Sequence, residues 1–192
     1  PGLSVAGPWL AHAGLPAYGL WSGIADAVHA DGLRTLGYDY VCVDLQHGAA
    51  EPVEARALLL ALTGGDTLAL VRPRANDPSL IGRALDLGAD GVIVPLVSTP
   101  AEAAAAVAAC RFPPAGRRSM GPVLARHRSR TAAEADAAAI CLVMIETAEG
   151  LDNVEAICAT PGLDGVYIGP ADLALAIGVD PRTWPESAEH AK

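Results

Sequence analysis

The chain has 192 residues and is 52% hydrophobic, which is enough to bury the core of one globular domain. No apolar run approaches the roughly 20 residues that a membrane-spanning helix needs, so the composition predicts a soluble protein. The net charge is −9 and there is no basic stripe, which argues against nucleic acid and anionic membranes as partners.

The cysteines are scattered through apolar or alanine-rich segments, with no close pair. They are Cys42, Cys110, Cys141 and Cys158. This spacing predicts buried free thiols rather than a disulfide or a metal site. Free thiols suit a reducing compartment and the sequence shows no signal peptide, so we expect a cytoplasmic protein.

Seven short apolar segments alternate with helical patterns and predict seven strands. In chain order they cover residues 19–23, 40–45, 68–71, 91–96, 119–121, 141–146 and 166–168. The second is apolar on both faces, which is typical of a buried parallel strand. The fifth is the shortest and falls in a segment rich in Pro, Gly and Arg, residues 111–130. Residues 1–17 are rich in Gly, Pro and Ala and receive no structural prediction.

Helix start signals lie between these strands. Asp77 and Pro78 combine an N-cap with a proline at the first helical position. Thr99 and Thr131 each precede a Glu by three residues, which is the spacing of a capping box. Further helices are predicted over residues 25–37, 51–63 and 151–159 and from Pro170, with Gly64-Gly65 stopping the second. Strands and helices that alternate in this way indicate a parallel sheet.

Two architectures fit this order, a doubly wound sheet and a (β/α)₈ barrel. No G-x-G-x-x-G loop follows the first strand, so the strongest indication of a nucleotide-binding fold is missing. Polar residues follow the second, third, sixth and seventh strands, and a barrel gathers such strand ends around one axis. We therefore expect a single (β/α)₈ barrel domain over residues 1–192, with no nucleotide cofactor.

Two carboxylates mark the ends of consecutive predicted strands. Glu146 ends the sixth strand, and Asp172 follows the seventh in the sequence Gly169-Pro170-Ala171-Asp172. Taken singly, Glu146 is better explained as a solvated loop residue and Asp172 as an ordinary helix-start residue. As a pair at adjacent strand ends, they suit a hard divalent cation such as Mg²⁺ or Mn²⁺. The free amides of Ala171 and Asp172 at the helix start also suit a carboxylate or phosphate, and Gly169 permits close approach.

Four further charged residues are candidates for proton transfer or charge stabilisation. Asp44 and His47 lie on and just after the second strand. A lone histidine there is more often a surface or structural residue, but a nearby carboxylate would orient the imidazole as an acid or base. Arg72 ends the third strand and suits either a structural ion pair or stabilisation of a developing enolate oxygen. Asp86 is a possible partner of His47, although its spacing alone is that of a surface helix residue.

Five arginines crowd one predicted loop. They are Arg117, Arg118, Arg126, Arg128 and Arg130. We expect most of them to be solvated and one or two to meet an anionic aldehyde substrate.

The chain resembles one known enzyme family through six segments that occur in the family's order. They are VDLQHG (43–48), VRPRAND (71–77), ALDLGADGVIVPLV (84–97), FPPAGRRSMGP (112–122), MIETAEGLDN (144–153) and DGVYIGPADLA (164–174). The family is that of the metal-dependent pyruvate aldolases, which includes 4-hydroxy-2-oxoheptanedioate aldolase and 2-dehydro-3-deoxygalactarate aldolase, with citrate lyase β-subunits as relatives. The resemblance extends from about residue 15 to residue 178.

The resemblance implies a lyase that cleaves a 4-hydroxy-2-oxoacid reversibly to pyruvate and an aldehyde. It implies Mg²⁺, Mn²⁺ or Co²⁺ on Glu146 and Asp172, with the substrate carboxylate at the amides of Ala171 and Asp172. Arg72 would stabilise the enolate, and Asp44 would shape the pocket. His47, oriented by Asp86, would move protons. A (β/α)₈ barrel assembled as a homo-oligomer, usually a hexamer, is also implied.

The sequence agrees that no Schiff-base lysine takes part. Its only lysine is the final residue, Lys192, so an imine mechanism is not expected. Two positions depart from the family pattern. Gln46 stands where many members have Glu, which removes a charge beside His47, and Met144 stands where many have Gln, which removes a hydrogen-bond donor.

The resemblance also predicts how much of the barrel this chain contains. Family members continue through an eighth strand and helices that are exchanged between subunits. A barrel without its last strand would have two unpaired edges. We therefore expect seven barrel strands here, and we expect that the chain is C-terminally incomplete, or that the eighth strand and helix are disordered or belong to another chain.

Two other functions stay open. One is a different reaction of the same enolate, such as decarboxylation of oxaloacetate. The other is a ketoacid-binding protein without catalysis on the same scaffold.

Overall fold

A computed structural model of the chain describes residues 16–24, 26–62, 66–123 and 130–182. Within these residues, six strands alternate with helices. The strands are β1 (Gly19–Ser22), β2 (Tyr40–Asp44), β3 (Leu68–Arg72), β4 (Gly91–Val94), β5 (Ile140–Ile145) and β6 (Gly165–Ile168). The helices are α1 (Ala27–Arg34), α2 (Pro52–Leu62), α3 (Pro78–Asp86), α4 (Pro100–Cys110), α5 (Ala132–Ala138), α6 (Ala148–Asp152), α7 (Val154–Cys158) and α8 (Pro170–Ala176).

The strands form one parallel sheet in the order β1-β2-β3-β4-β5-β6. Neighbouring strands lie about 4.8 Å apart, so the edges of a flat six-stranded sheet would be separated by roughly 24 Å. The rings of Trp21 on β1 and Tyr167 on β6 nevertheless have centroids only 5.0 Å apart. The sheet is therefore curled, so that its two edge strands approach each other in the manner of a half-barrel.

The curled sheet has an apolar layer on each face. On the outer face, Val43 and Val71 belong to a buried cluster with residues of the surrounding helices, such as Leu58 and Ile81. On the inner face, a smaller cluster includes Cys42, Leu70, Ile93, Leu142 and Met144, with Trp21 and Tyr167 against it. Since both faces are covered, the strands are apolar at almost every position, as the sequence predicted for β2.

The helix start signals act as predicted. Asp77 caps α3 through the amides of Ser79 and Leu80, with Pro78 in the first turn. Both capping boxes are formed, by Thr99 with Glu102 at α4 and by Thr131 with Glu134 at α5. Local hydrogen bonds thus fix where α3, α4 and α5 begin, as the spacing indicated.

The prediction of seven strands is wrong for the described residues, because residues 119–121 form no strand. The chain after α4 folds back onto that helix instead. The amide of Arg117 donates to the carbonyl of Ala108 at 2.8 Å, and the amide of Arg118 to that of Arg111 at 2.8 Å. β4 then pairs directly with β5. The segment just before the predicted fifth strand is therefore held at the end of α4, and no strand lies between β4 and β5 in the sheet.

Two smaller expectations also differ from the structure. The single helix predicted over residues 151–159 is two short helices that meet at Asn153, whose side chain donates to the carbonyl of Ser98 at 2.9 Å. All four cysteines are free as predicted, but Cys158 is exposed rather than buried.

Some expectations fall outside the described residues. They concern most of residues 1–17, the Gly64-Gly65 helix stop, and Arg126, Arg128 and Lys192. No helix in the described part of the chain combines the length and the hydrophobicity that a membrane span requires.

Candidate active site

Three strands carry a charged residue at their carboxyl end on the inner face of the sheet. Side chains alternate between the two faces of a strand. The inner cluster contains one residue from each of these strands, namely Cys42, Leu70 and Met144. The residues two positions further on are Asp44, Arg72 and Glu146, so they lie on the same inner face, one layer nearer the carboxyl end. This layer is the candidate active site.

Asp44 and Arg72 form a buried ion pair within this layer. The register of β2 and β3 places the two residues directly opposite each other. The Nε and Nη2 atoms of Arg72 donate to the two carboxylate oxygens of Asp44, at 2.8 and 2.5 Å. The side chains are 9% and 7% exposed. The two parallel hydrogen bonds fix the plane of the guanidinium, and they leave Nη1 as the nitrogen that does not contact Asp44.

Asp44 accepts three further hydrogen bonds. They come from the indole nitrogen of Trp21 at 3.2 Å and from the amides of Gln46 and His47 at 3.0 and 3.2 Å. Burial alone would raise the pKa of Asp44, but the hydrogen bonds from Arg72, His47 and Trp21 lower the pKa to about 2. Asp44 is therefore a permanent anion at neutral pH and orients Arg72 rather than exchanging protons.

This low pKa predicts an acid-dependent loss of stability. The folded pKa of about 2 lies below the ordinary value of 3.8, so the stability that ionised Asp44 contributes is present above pH 4 and is lost as pH falls towards 2. The contribution is about 2 kcal/mol. Urea unfolding at pH 6 and pH 3 should show that Asp44→Asn removes this part of the pH dependence. An unchanged difference between the two pH values in the variant would contradict the assignment.

Trp21 supports both members of the ion pair, a role that was not inferred from the sequence. Its ring lies 4.9 Å from the Cζ atom of Arg72, a cation–π contact, while its indole nitrogen bonds Asp44. Trp21 is opposite Cys42 in the β1–β2 register, and so it faces inward. The alternation of side chains in the short first strand could have indicated that Trp21 faces inward. Its contact with Asp44 and Arg72 also depends on the register of β1 with β2, which the sequence does not give.

Glu146 directly follows β5 and is 3% exposed. Its Oε1 atom accepts a hydrogen bond from the amide of Leu96 at 2.7 Å. Gly169 lies against its other oxygen, because a Cβ atom built on Gly169 would be 2.5 Å from Oε2 and 2.8 Å from the Cβ of Glu146. Only glycine fits beside this carboxylate, which explains the glycine at the start of α8.

The charge of Glu146 interacts with those of three other predicted site residues, Asp172, Arg72 and His47. Burial raises the pKa of Glu146, and the negative charge of Asp172 raises it further. The amide of Leu96 and the charges of Arg72 and His47 act in the opposite direction, and the net effect is a raised pKa. A buried carboxylate that is repelled by a second carboxylate is stabilised by a cation, so the charge distribution fits a bound divalent metal ion.

The remaining predicted residues at α8 lie beside this pair. Asp172 is in the first turn of α8 and is exposed, as are Pro170 and Ala171. No group of three or more His, Cys, Asp or Glu side chains converges in the described residues. Glu146 and Asp172 are therefore two carboxylates whose charges interact at this end of the sheet, without a third such side chain beside them in the described residues.

The structure does not bring Asp86 to His47, contrary to the expected pairing. His47 is exposed at the carboxyl end of β2, and its amide bonds Asp44. Asp86 is the last residue of α3, a helix that runs back towards the amino end of the sheet. Its carboxylate accepts a hydrogen bond from Arg118 at 2.9 Å. Within one chain, Asp86 is therefore at the opposite end of the strands from His47.

Arg118 is likewise not available to a substrate in the layer of Asp44 and Glu146. It is buried, pairs with Asp86, and lies over the ring of Phe112 at 4.7 Å. Arg130 lines a pocket beside Arg118, between α3 and α5. The described arginines of this loop are Arg117, Arg118 and Arg130. Arg118 and Arg130, which line this pocket, lie towards the amino end of the sheet.

The two departures from the family pattern both lie next to the ion pair. Met144 faces Arg72, with its sulfur 4.0 Å from Nη1. A thioether is a weak acceptor, so Nη1 retains donor capacity towards a ligand. Gln46 has a buried Oε1 atom without a hydrogen-bond partner in the described structure. An unsatisfied buried acceptor is costly, so this atom suits a donor that arrives with the substrate or with water.

Comparison with known proteins identifies the class of protein. Residues 17–187 match the HpcH/HpaI aldolase/citrate lyase family. A hydroxypyruvate/pyruvate aldolase from Rhizorhabdus wittichii is 40% identical over 178 residues, 92% of this chain and 71% of the relative. A 4-hydroxy-2-oxo-heptane-1,7-dioate aldolase from Salmonella dublin is 39% identical over 171 residues, 86% of this chain and 65% of the relative.

A solved structure supports the same assignment. The crystal structure of an HpcH/HpaI aldolase/citrate lyase family protein from Burkholderia cenocepacia J2315 matches with a TM-score of 0.80 and 35% identity, over 86% of this chain and 68% of that one. The family match and these relatives show that the protein is a carbon–carbon lyase. The chain belongs to the HpcH/HpaI aldolase/citrate lyase family.

Proposed function

We propose that this lyase cleaves a 4-hydroxy-2-oxoacid reversibly to pyruvate, or a close analogue such as hydroxypyruvate, and an aldehyde. The single observation that carries the proposal is the charge layer in which Glu146 is repelled by Asp172 and attracted by Arg72 and His47. Such a layer has the groups that a ketoacid enolate needs, namely a cation site, a guanidinium and an imidazole.

Glu146 and Asp172 would hold the divalent cation, Mg²⁺, Mn²⁺ or Co²⁺. The donor set is all oxygen, which is what these hard cations prefer. Burial first, and then the charge of Asp172, raise the pKa of Glu146, which means that the ionised form is destabilised. A bound cation would offset this destabilisation. When bound, the cation supplies positive charge that lowers the free energy of the developing enolate.

Arg72 would stabilise the enolate oxygen through Nη1. The nitrogens Nε and Nη2 donate to Asp44, whereas the hydrogen bond of Nη1 in the described structure is the weak one to the sulfur of Met144. The guanidinium is held by Asp44 and Trp21 before any ligand arrives, so little reorganisation is needed as charge develops. Asp44 thus acts by positioning Arg72 within the pocket.

His47 would move the protons of the reaction. In cleavage, a base removes the proton of the 4-hydroxyl group, the bond between C3 and C4 breaks, and the aldehyde leaves. The electron pair of that bond forms the enolate, which becomes pyruvate when C3 gains a proton. An exposed imidazole at the carboxyl end of β2 is suited to this exchange at neutral pH. Asp86 of the same chain is not placed to orient it.

The start of α8 would bind the substrate carboxylate. The amides of Ala171 and Asp172 belong to the first turn, where helix amides have no partner within the helix. Gly169 keeps this turn close to Glu146, so a carboxylate bound there would lie beside the cation site. Pro170 offers no donor but fixes the first turn of the helix.

We also propose that the six described strands are part of a (β/α)₈ barrel that assembles as a homo-oligomer, a hexamer, in the cytoplasm. The approach of Trp21 to Tyr167 across the sheet supports a closed barrel, because β1 and β6 are its two edges. Light scattering after gel filtration tests the oligomer. A monomeric mass at micromolar concentration would contradict it.

Product analysis tests the proposed reaction. The protein is incubated with 4-hydroxy-2-oxoheptanedioate, and pyruvate and the aldehyde are quantified with Mg²⁺, with EDTA, and after metal is restored. We expect equal amounts of the two products, formed only with metal. Oxaloacetate is assayed in parallel. Release of carbon dioxide from oxaloacetate without cleavage of any hydroxy-oxoacid would favour the decarboxylase alternative and contradict the proposal.

Gly169→Ala tests the placement of Glu146. The new Cβ atom would lie 2.5 Å from Oε2, so the carboxylate has to move by roughly 1 Å, a misplacement that lowers enzyme rates about 100-fold. We expect weaker metal affinity by calorimetry and a correspondingly slower cleavage rate. Gly82→Ala in α3 is the control, because nothing lies within 4 Å of its added Cβ atom. Metal affinity equal to that of the wild type in Gly169→Ala would contradict this placement.

A further inference from the structure

Leu96, two residues beyond β4, has an unusual backbone conformation. Its φ is +56°, in the left-handed region, and it is the only non-glycine residue with positive φ in the described part of the chain. That region is disfavoured for leucine, because its Cβ atom crowds the following carbonyl. Outliers of this kind persist where the surroundings determine the conformation, and they concentrate at functional sites.

The surroundings of Leu96 do determine its conformation. The amide of Val97 donates to the carbonyl of Met144 at 3.3 Å. The hydroxyl of Ser98 shares a hydrogen bond of 2.7 Å with Thr147, and the carbonyl of Ser98 accepts the bond from Asn153. Hydrogen bonds from Val97 and Ser98 thus hold the loop after Leu96 against residues 144–153, the segment that contains Glu146.

The consequence is an exposed aliphatic side chain beside the candidate cation site. The amide of Leu96 lies 2.7 Å from Oε1 of Glu146, so its Cα atom is at most about 4.2 Å from that oxygen. The side chain is 52% exposed, although Pro95 and Val97 on either side are buried. The loop from Pro95 to Ser98 contains no charged residue. An aliphatic group is therefore available to a ligand at the carboxyl end of the sheet.

We propose that Leu96 is a specificity-determining residue that contacts the aldehyde half of the substrate and favours aldehydes with an apolar chain. The inference rests on the proposed function. The ketoacid half is polar and is matched by Glu146, Asp172 and Arg72. The aldehyde half joins C3 of the ketoacid and extends away from these charges. Leu96 offers an uncharged surface within a few ångströms of the carboxylate, which matches an alkyl chain and provides no partner for a charged or hydroxylated one.

Two aldehydes of equal size test this contact. Propanal and glycolaldehyde have the same number of non-hydrogen atoms, and they differ by a methyl against a hydroxyl group. The measured quantity is the ratio of their kcat/KM values for addition to pyruvate, with Mg²⁺, in the full chain. Each ratio is internal to one protein, so a general loss of activity cancels. We expect the wild type to prefer propanal, and Leu96→Gly to lower the ratio about 5- to 10-fold.

Three further variants make the result interpretable. Leu96→Asn replaces the aliphatic group with a residue that tolerates the left-handed conformation, and we expect a similar fall in the ratio. Leu96→Met retains an apolar chain and should keep the ratio within about 2-fold of the wild-type value. Leu36→Ala removes a leucine that is 65% exposed at the amino end of β2 and should leave the ratio unchanged.

The outcomes separate this inference from the proposed function. Exchange of the pyruvate methyl protons in D₂O needs no aldehyde and is measured on the same samples. Wild-type exchange together with an unchanged ratio in Leu96→Gly and Leu96→Asn would overturn the Leu96 contact alone. A wild-type protein that neither exchanges nor adds would overturn the proposed function, and the Leu96 contact with it.

Discussion

Replacing Glu146 with Gln is expected to lower metal-dependent cleavage by about two to three orders of magnitude. The variant keeps the size of the side chain and an oxygen that can accept from the amide of Leu96, but it removes the buried charge that would hold the cation. The measurement is the cleavage rate at saturating Mg²⁺. Glu149→Gln is the matched control, because the same substitution three residues later falls on an exposed side chain.

Glu146→Gln should lose activity without losing stability. The pKa of Glu146 is raised, first by burial and then by Asp172, so the stability linked to its protonation is present below its ordinary value of 4.5 and is lost as pH rises. At neutral pH, metal-free Glu146→Gln should therefore be at least as stable as the wild type. Added Mg²⁺ should raise the melting temperature of the wild type only. Equal stabilisation of both proteins by Mg²⁺ would contradict the metal site.

Replacing Arg72 with Lys is expected to lower the cleavage rate about 100- to 1000-fold, even though the positive charge is kept. Lysine cannot form the two parallel hydrogen bonds to Asp44 and at the same time present a third nitrogen to an enolate oxygen. The loss should appear in kcat as well as in kcat/KM, because the enolate charge exists mainly in the transition state. Steady-state kinetics at saturating Mg²⁺ measure it.

Arg74→Lys provides the matched control for this substitution. Arg74 pairs with Glu51 at 3.0 Å, but both side chains are more than half exposed, so the pair contributes little to stability. Arg72 is buried, and disruption of its pair should also cost up to about 3–5 kcal/mol in urea unfolding. A fall in activity of less than about 3-fold in Arg72→Lys would show that Nη1 has no role in charge stabilisation.

Much of the candidate site was predictable because strand ends and alternation are local properties. The apolar run that ends at Asp44 and the run that ends at Glu146 each place a carboxylate at a strand terminus, and parallel strands gather such termini. The structure confirms the parallel α/β arrangement, and its charges couple Glu146 with Asp172, Arg72 and His47. The roles that we assign to these residues stay proposals.

The parts that were not predicted depend on register and on contacts distant in sequence. The contact of Trp21 with Arg72 requires the register of β1 with β2 and the curl of the sheet. The fifth strand was predicted near residues 119–121, whereas backbone bonds to α4 hold the preceding segment. The pairing of Asp86 with His47 followed from resemblance, and the direction of α3 separates the two residues within one chain.

The most direct test of the central claim is the exchange of pyruvate methyl protons in D₂O, followed by NMR. The wild type is measured metal-free, with Mg²⁺, and with Mg²⁺ followed by EDTA, and Glu146→Gln is measured with Mg²⁺. We predict exchange only in the wild type with Mg²⁺, because removal of the proton requires both the cation and the carboxylate that holds it. Exchange that continues in EDTA, or that is as fast in Glu146→Gln, would contradict enolate chemistry at this site.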